Sequence, residues 1–201
     1  MEVAEAMRQR KSVKKFDPSV QVSEEEWRSW ISLASTAPSS WNLQHARYRV
    51  ITDAEQKLRL LPIAYGQRQV VDAAVVFLVF GDTEAPSDLP AILGPDLRAG
   101  RITQETYDRL RDQIEKTYKS SSEVAVQEAL INASLAAMQL MLVVKDRGYD
   151  SCSMGGFNPK RLVEEFSIPA RFRPIMLIAV GKQLESPRET SRLSVNQLLV
   201  P

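Results

Sequence analysis

The sequence predicts an α+β fold, with a few strands gathered into one sheet and helices laid over it. Three stretches carry this expectation. Residues 73–80 are almost wholly apolar and rich in valine, the pattern of a central strand buried on both faces. Residues 174–180 repeat that character. Residues 123–147 are apolar around nearly the whole helical circumference and read as one long core helix. Few strands and one dominant helix favour α+β over an α/β arrangement. The 201 residues suit a single domain, 1–201, with a full-sized core.

In chain order, residues 2–10 predict a first helix with Val3, Ala6 and Met7 on one face. Asp17-Pro18 breaks the chain. Ser23, with Glu26 three residues on, forms a capping box for a second helix whose stripe is Trp27, Trp30, Ile31 and Ala34. That helix ends before Pro38, and residues 38–44 form a polar loop with turn chemistry. Residues 47–51 alternate, as a strand with one wet face does. Asp53 caps a short helix through Leu60, and residues 62–69 read as another. Residues 82–101 hold three prolines and two glycines and read as a loop or excursion. Thr103 starts a polar helix to about residue 119, with Glu105–Arg109 and Asp112–Lys116 as i,i+4 pairs. Its few apolar positions place it on the surface or over a cleft. Gly148 is a fitting residue just past the long helix. A short strand at 150–153 leads to Gly155-Gly156, and Asn158-Pro159 opens a further helix as cap and first residue. Residues 182–201 show no amphipathic pattern apart from Leu198-Leu199-Val200 and predict a tail whose partner surface lies on another subunit.

Composition narrows the function. A formal net charge of +1 gives no field to steer the protein toward nucleic acid or anionic lipid. The apolar run at 129–144 is shorter than the roughly 20 residues a bilayer span needs and reads as a buried core helix. The N-terminus carries acids and no apolar segment, unlike a signal peptide. The single cysteine, Cys152, allows no internal disulfide, which fits a reducing, cytoplasmic compartment. One His and one Cys do not supply the ligands a zinc or iron site needs, so no metal is expected. Cys152 reads as a small buried hydrophobe, and His45 as a surface or satisfied histidine.

The chemistry-bearing stretches are short. Arg10-Lys11-Ser12-Val13-Lys14 sets three cations and a hydroxyl beside an apolar helix, a plausible seat for a phosphate. Taken alone it reads first as the solvated basic end of a helix, because short basic runs are common. Gly155-Gly156 is a tight turn, or a place where amide N–H groups approach a planar ligand.

Five stretches in order resemble the FMN-dependent nitroreductase family, from about residue 6 to residue 199. They are Arg10 to Phe16; Pro38-Ser39-Ser40 with Asn42 and Gln44; Gln67, Gln69, Asp72 and Ala73; Ser151 to Asn158; and Ser191-Arg192-Leu193. The resemblance implies a three-layer fold with a central, mostly antiparallel sheet flanked by helices, and a C-terminal tail exchanged in a homodimer. It implies FMN as cofactor and NAD(P)H as co-substrate, with a small-molecule electron acceptor such as a nitroaromatic or quinone reduced in ping-pong order. No nucleic-acid or membrane partner is implied, and no side chain acts as acid or base. Arg10, Lys11 and Ser12 belong to the phosphate-binding run, Lys14 faces the N1/O2 edge of the flavin, and Arg192 completes the phosphate clamp. Gln69, with Gln67 beside it, serves the pyrimidine edge. Met154, Gly155 and Gly156 form the glycine loop, whose N–H groups address N5 and O4. Pro38, Ser39, Ser40 and Asn42 come from the second subunit. Residues 82–122 cover the active site and select the acceptor.

Three positions depart from the family pattern. Gly66 stands where many members carry Asn, His45-Ala46 where many carry Pro-Trp, and Thr190 where a second C-terminal cation is common, with Arg188 near enough to compensate. Three competing readings remain at this level: a family member with another reductive activity (dehalogenation, enone reduction or flavin fragmentation), a flavin-binding or storage module without turnover, and a structural dimer whose basic residues serve only the surface.

Overall fold

The computed structural model describes residues 1–200. Its helices are α1 (Val3–Gln9), α2 (Glu24–Ala34), α3 (Ala54–Ile63), α4 (Gln69–Asp72), α5 (Leu89–Arg98), α6 (Gln104–Ser120), α7 (Ser122–Asp146), α8 (Pro159–Glu165) and α9 (Val195–Leu198). Its strands are β1 (Ala46–Ile51), β2 (Val75–Asp82), β3 (Asp150–Met154) and β4 (Phe172–Gly181). They form one antiparallel sheet in the order β1-β2-β4-β3.

The central pair β2–β4 explains the layers. Every residue of β2 is buried. Its side chains alternate, so Val76, Leu78 and Phe80 enter one core while Val75, Phe77 and Val79 enter the other. The first core is closed by α3 and α8 through Leu60, Ile63 and Leu162. The second is closed by α2 and α7 through Trp30, Ala34, Ala137, Leu140 and Val144. The α+β, three-layer expectation is borne out. In the β2–β4 register Phe80 opposes Pro174 while Val79 opposes Met176, so Ile175 is left over as a bulge beside a proline that has no N–H to donate.

The expected caps form. Ser23 accepts from the Glu26 N–H while the Glu26 carboxylate accepts from the Ser23 N–H. Thr103 caps α6 and Asn158 caps α8 with Pro159 as first residue. Four expectations are corrected. Residues 62–69 are not a separate helix: α3 runs through Pro62 because Leu60 and Ile63 both reach the core, and left-handed Tyr65 and Gly66 then end it. Residues 85–98 are mostly helical, because Pro86 and Pro90 fall in first turns, where a missing N–H costs nothing. On α6 the pairs are Arg111 with Asp108 and Asp112, and Lys119 with Glu115, instead of the two expected ones. Asp112 is taken by its neighbour Arg111, and Glu115 precedes Lys119 in the favourable orientation. Finally, α7 is not buried all round: Leu130, Ile131, Leu135 and Met138 are exposed. By length and composition α7 is apolar enough to cross a membrane, yet its other face is the floor of the second core.

A third apolar cluster joins Leu43 of the polar loop to Ala85 in the turn before α5, Leu89 and Leu93 of α5 and Ile114 of α6. The 82–122 excursion is therefore a helical subunit of the fold packed on the loop.

Where α7 crosses β2, the helix backbone approaches Gly81 so closely that a Cβ there would lie 2.5 Å from the Ala129 carbonyl oxygen. Gly81→Ala is expected to destabilise the protein by roughly 1–3 kcal/mol, the usual range for overpacking, as a lower urea midpoint at unchanged slope.

Candidate functional site

The basic run is positioned by the two apolar residues inside it. Val13 and Phe16 are fully buried in the first core. The Val13 N–H donates to the Ser151 carbonyl at 3.0 Å, and Ser12 bridges Ser151 in parallel fashion. The run thus lies along the free edge of β3, and Ser12 and Lys14 are exposed on its outer side. Gly181 makes room for this arrangement, because a Cβ there would sit 3.0 Å from the Phe16 ring. Arg10 closes α1, its N–H bonded to the Ala6 carbonyl.

Facing the run is the first part of the tail. Together they enclose a cleft of about 680 Å³ that includes Arg10, Ser12, Lys14, Arg188, Thr190 and Arg192. Lys11 pairs with Glu189 at 2.9 Å and Lys15 with Glu185 at 2.8 Å. Arg192 donates to the Thr190 hydroxyl at 2.8 Å and to the Ser191 carbonyl. Among the described residues no carboxylate forms an ion pair with Arg10, Lys14, Arg188 or Arg192. A cleft walled by unneutralised cations and a hydroxyl suits a phosphate.

The glutamines and the glycine loop meet at the far end of β3. Gln67 donates through Nε2 to the Gly156 carbonyl at 2.6 Å and to the Ala64 carbonyl at 3.1 Å. Gln69, which is buried, donates to Gln67 Oε1 at 3.2 Å and lies 4.0 Å from Cys152 Sγ. Gly155 and Gly156 are exposed, a Cβ on Gly155 would touch nothing within 4 Å, and among the described residues neither N–H has a protein partner. Met154 is the exception in this group. Its side chain is buried in the first core, so only its backbone borders the loop. Cys152 is a buried hydrophobe, as expected; burial pushes its thiol pKa up, against smaller opposing effects of Gln69, Lys14 and Arg10.

Pro38, Ser39, Ser40 and Asn42 do not join this cleft within one chain. They precede β1, at the opposite sheet edge from β3, about 14 Å away across three strand spacings. Their loop is tied to α7: the Ser40 N–H donates to Asn132 Oδ1 at 2.9 Å, and Asn132 is held in turn by Glu128. Trp41, Asn42 and Gln44 all have left-handed backbone, with φ of 49°, 57° and 48°. Non-glycine residues adopt that conformation at a cost of about 1–3 kcal/mol each, and do so mostly at functional loops.

Of the two expectations for His45, a surface histidine is overturned and a satisfied one is half met. The residue is fully buried, with Nε2 against the Tyr118 hydroxyl at 2.5 Å and Nδ1 without a partner among the described residues. The polar neighbours Gln44 and Arg47 concealed this from a sequence reading. Beside it, the buried Asp82 receives two bonds from Arg171, at 2.8 and 2.5 Å, and lies 3.2 Å from Arg47, which also reaches Asp88 at 2.5 Å. These contacts fasten the excursion to the loop and the sheet. Glu185 and Glu189 were also unforeseen as partners of the basic run. Their four-residue spacing opposite Lys15 and Lys11 was the available signal.

A family model described as the nitroreductase family matches residues 7–182. The chain belongs to the nitroreductase family. The candidate NAD(P)H nitroreductase YodC of Bacillus subtilis (strain 168) is 38% identical over 194 residues, 96% of each chain. A candidate nitroreductase from Exiguobacterium sibiricum, solved in complex with FMN, matches at a TM-score of 0.93 with 32% identity, over 100% of this chain and 97% of its own. A CLA biosynthesis enone reductase from Lactiplantibacillus plantarum is 29% identical, over 95% of this chain and 90% of its own. Against the nitroreductase pattern, Gly66 is left-handed with φ of +74° and open space around its Cβ position. The Asn common there would fit, since Asn tolerates left-handed backbone.

Burial lowers the His45 pKa below its usual 6.5, with a smaller push from Arg47 and opposition from Glu128 and Asp82. The unfolded chain then binds the proton more readily, so this contribution to stability is complete above about pH 6.5 and is lost as pH falls through the folded value. In His45→Gln, which binds no proton, the melting temperature is expected to fall less between pH 7 and pH 5 than in the unmodified protein. Parallel falls in thermal melts would count against this.

Proposed function

We propose that this protein is an FMN-dependent oxidoreductase that takes hydride from NAD(P)H and passes it to an electrophilic organic acceptor, of which nitroaromatics and quinones are the first candidates. The supporting observation is the convergence, along one edge of β3, of unneutralised cations with a glycine loop whose N–H groups are free.

The residues fit FMN at both ends. Arg10, Ser12 and Arg192 would hold the phosphate, with guanidinium forks suited to paired oxygens. Lys14 lies on the exposed side of the run. It would place positive charge at the N1/O2 edge of the flavin, where hydride acceptance concentrates negative charge. Gln69 would bond the pyrimidine edge, steadied by Gln67. The free N–H groups of Gly155 and Gly156 would address N5 and O4, and nothing within 4 Å of Gly155 obstructs close approach. Bound FMN supplies the reversible hydride chemistry, and the protein supplies orientation and charge. His45 and Cys152 are buried and have no role as acid or base in this scheme. Donor and acceptor would use the same open face in turn, a ping-pong order.

A second copy of the chain would complete the site. Pro38, Ser39, Ser40 and Asn42 sit on the wrong edge to reach their own cleft, while the Leu130, Ile131, Leu135 and Met138 face of α7 and the tail residues Leu193, Val195, Leu198 and Leu199 are apolar and exposed. A homodimer would cover both and bring the loop to its partner's flavin. The lone buried Cys152 suits a cytoplasmic enzyme. Residues 82–122 would set acceptor choice, and the enone reductase relative makes activated alkenes a class to include.

The purified protein should be yellow and should oxidise NADH or NADPH when a quinone, nitroaromatic or enone is added. Flavin absorbance without turnover across that panel would favour the storage reading. Arg192→Ala is expected to lower FMN content severalfold; unchanged flavin per chain would remove Arg192 from the clamp.

A further inference from the structure

The tail is fastened to the basic run by backbone bonds as well as by ion pairs. The Asp17 N–H donates to the Lys182 carbonyl at 2.9 Å, Phe16 bridges Gln183, and the Leu184 N–H donates to the Lys15 carbonyl at 2.9 Å. The tail therefore leaves β4 antiparallel to the run. Two ion pairs continue the attachment, Glu185 to Lys15 and Glu189 to Lys11. The six cations of the cleft thus sort into two sets. Among the described residues Lys11 and Lys15 are neutralised by tail acids, whereas Arg10, Lys14, Arg188 and Arg192 are not.

We infer that Lys11 and Lys15 are positioning residues of a strap: with Glu189 and Glu185 they hold residues 185–192 across the run so that Arg192 faces the phosphate bound by Arg10 and Ser12. This rests on the FMN reading and takes Lys11 out of direct phosphate contact. FMN release then requires Arg192, and the strap that carries it, to let go of the phosphate. The pairs are largely exposed on their acid side, so each shifts the closed state only a few-fold and is weakened by salt. The opposite reading has Glu189 competing with phosphate for Lys11. The two readings predict opposite signs.

Release of FMN from the holoprotein, followed by recovery of free-flavin fluorescence on dilution, separates them. Glu189→Gln and Lys11→Glu should each speed release about two- to fivefold, and the charge swap Lys11→Glu with Glu189→Lys should restore most of the original rate. Riboflavin, which has no phosphate for Arg192 to hold, should leave at the same rate from all of these proteins. Slower release from Glu189→Gln, a swap as fast as Lys11→Glu alone, or equal effects on riboflavin would each overturn the strap. An unmodified protein that purifies colourless and takes up no added FMN would instead overturn the flavin reading beneath it.

Discussion

Burial of β2 and β4 on both faces is the constraint from which the rest follows. A strand pair with apolar side chains above and below must be covered twice, and α2 with α7 on one side and α3 with α8 on the other do so. Covering the faces leaves only the two sheet edges with unpaired backbone groups. Both edges are then used. The edge of β3 receives the basic run through the Val13 N–H, and the edge at β1 is entered from the polar loop. The candidate site is assembled on strand edges because the faces are fully occupied by the core.

Electrostatics follows the same division. Around Asp82 the charges are structural: Arg171 bonds a fully buried carboxylate and Arg47 forms an ion pair with it, where an unpaired charge would be costly to bury. Along the run the charges are partly unneutralised and exposed, the condition for binding an anion. One chain thus carries a cluster whose charges are closed on one another and a cluster whose charges stay open toward a cleft of about 680 Å³.

Much of the fold was legible from local pattern. The valine runs, the Ser23–Glu26 box, Asn158-Pro159 and Gly148 each act over a few residues, so their consequences appear in the sequence directly. The excursion was misread because proline counts suggest a loop, whereas proline position decides, and Pro86 and Pro90 lie in first turns. The long helix was misread on its outer face because apolarity does not say whether other elements of the fold cover it. At the site, the run, the glutamines and the glycine loop do converge, since each adjoins β3 and its register fixes them. His45 and the tail acids escaped notice because their partners, Tyr118, Lys11 and Lys15, are 73 or more residues away in sequence and no local periodicity encodes such pairs.

The left-handed stretch at Trp41, Asn42 and Gln44 has a bearing on engineering. Its backbone cost is offset by packing: Leu43 is buried against α5 and α6, Trp41 lies against Tyr118, and Tyr118 also holds His45. The loop keeps its shape through the excursion above it. Residues 82–122 are for that reason not an exchangeable cassette. Grafting the excursion of a relative would release the loop beneath it, so the two segments have to be transplanted as one unit.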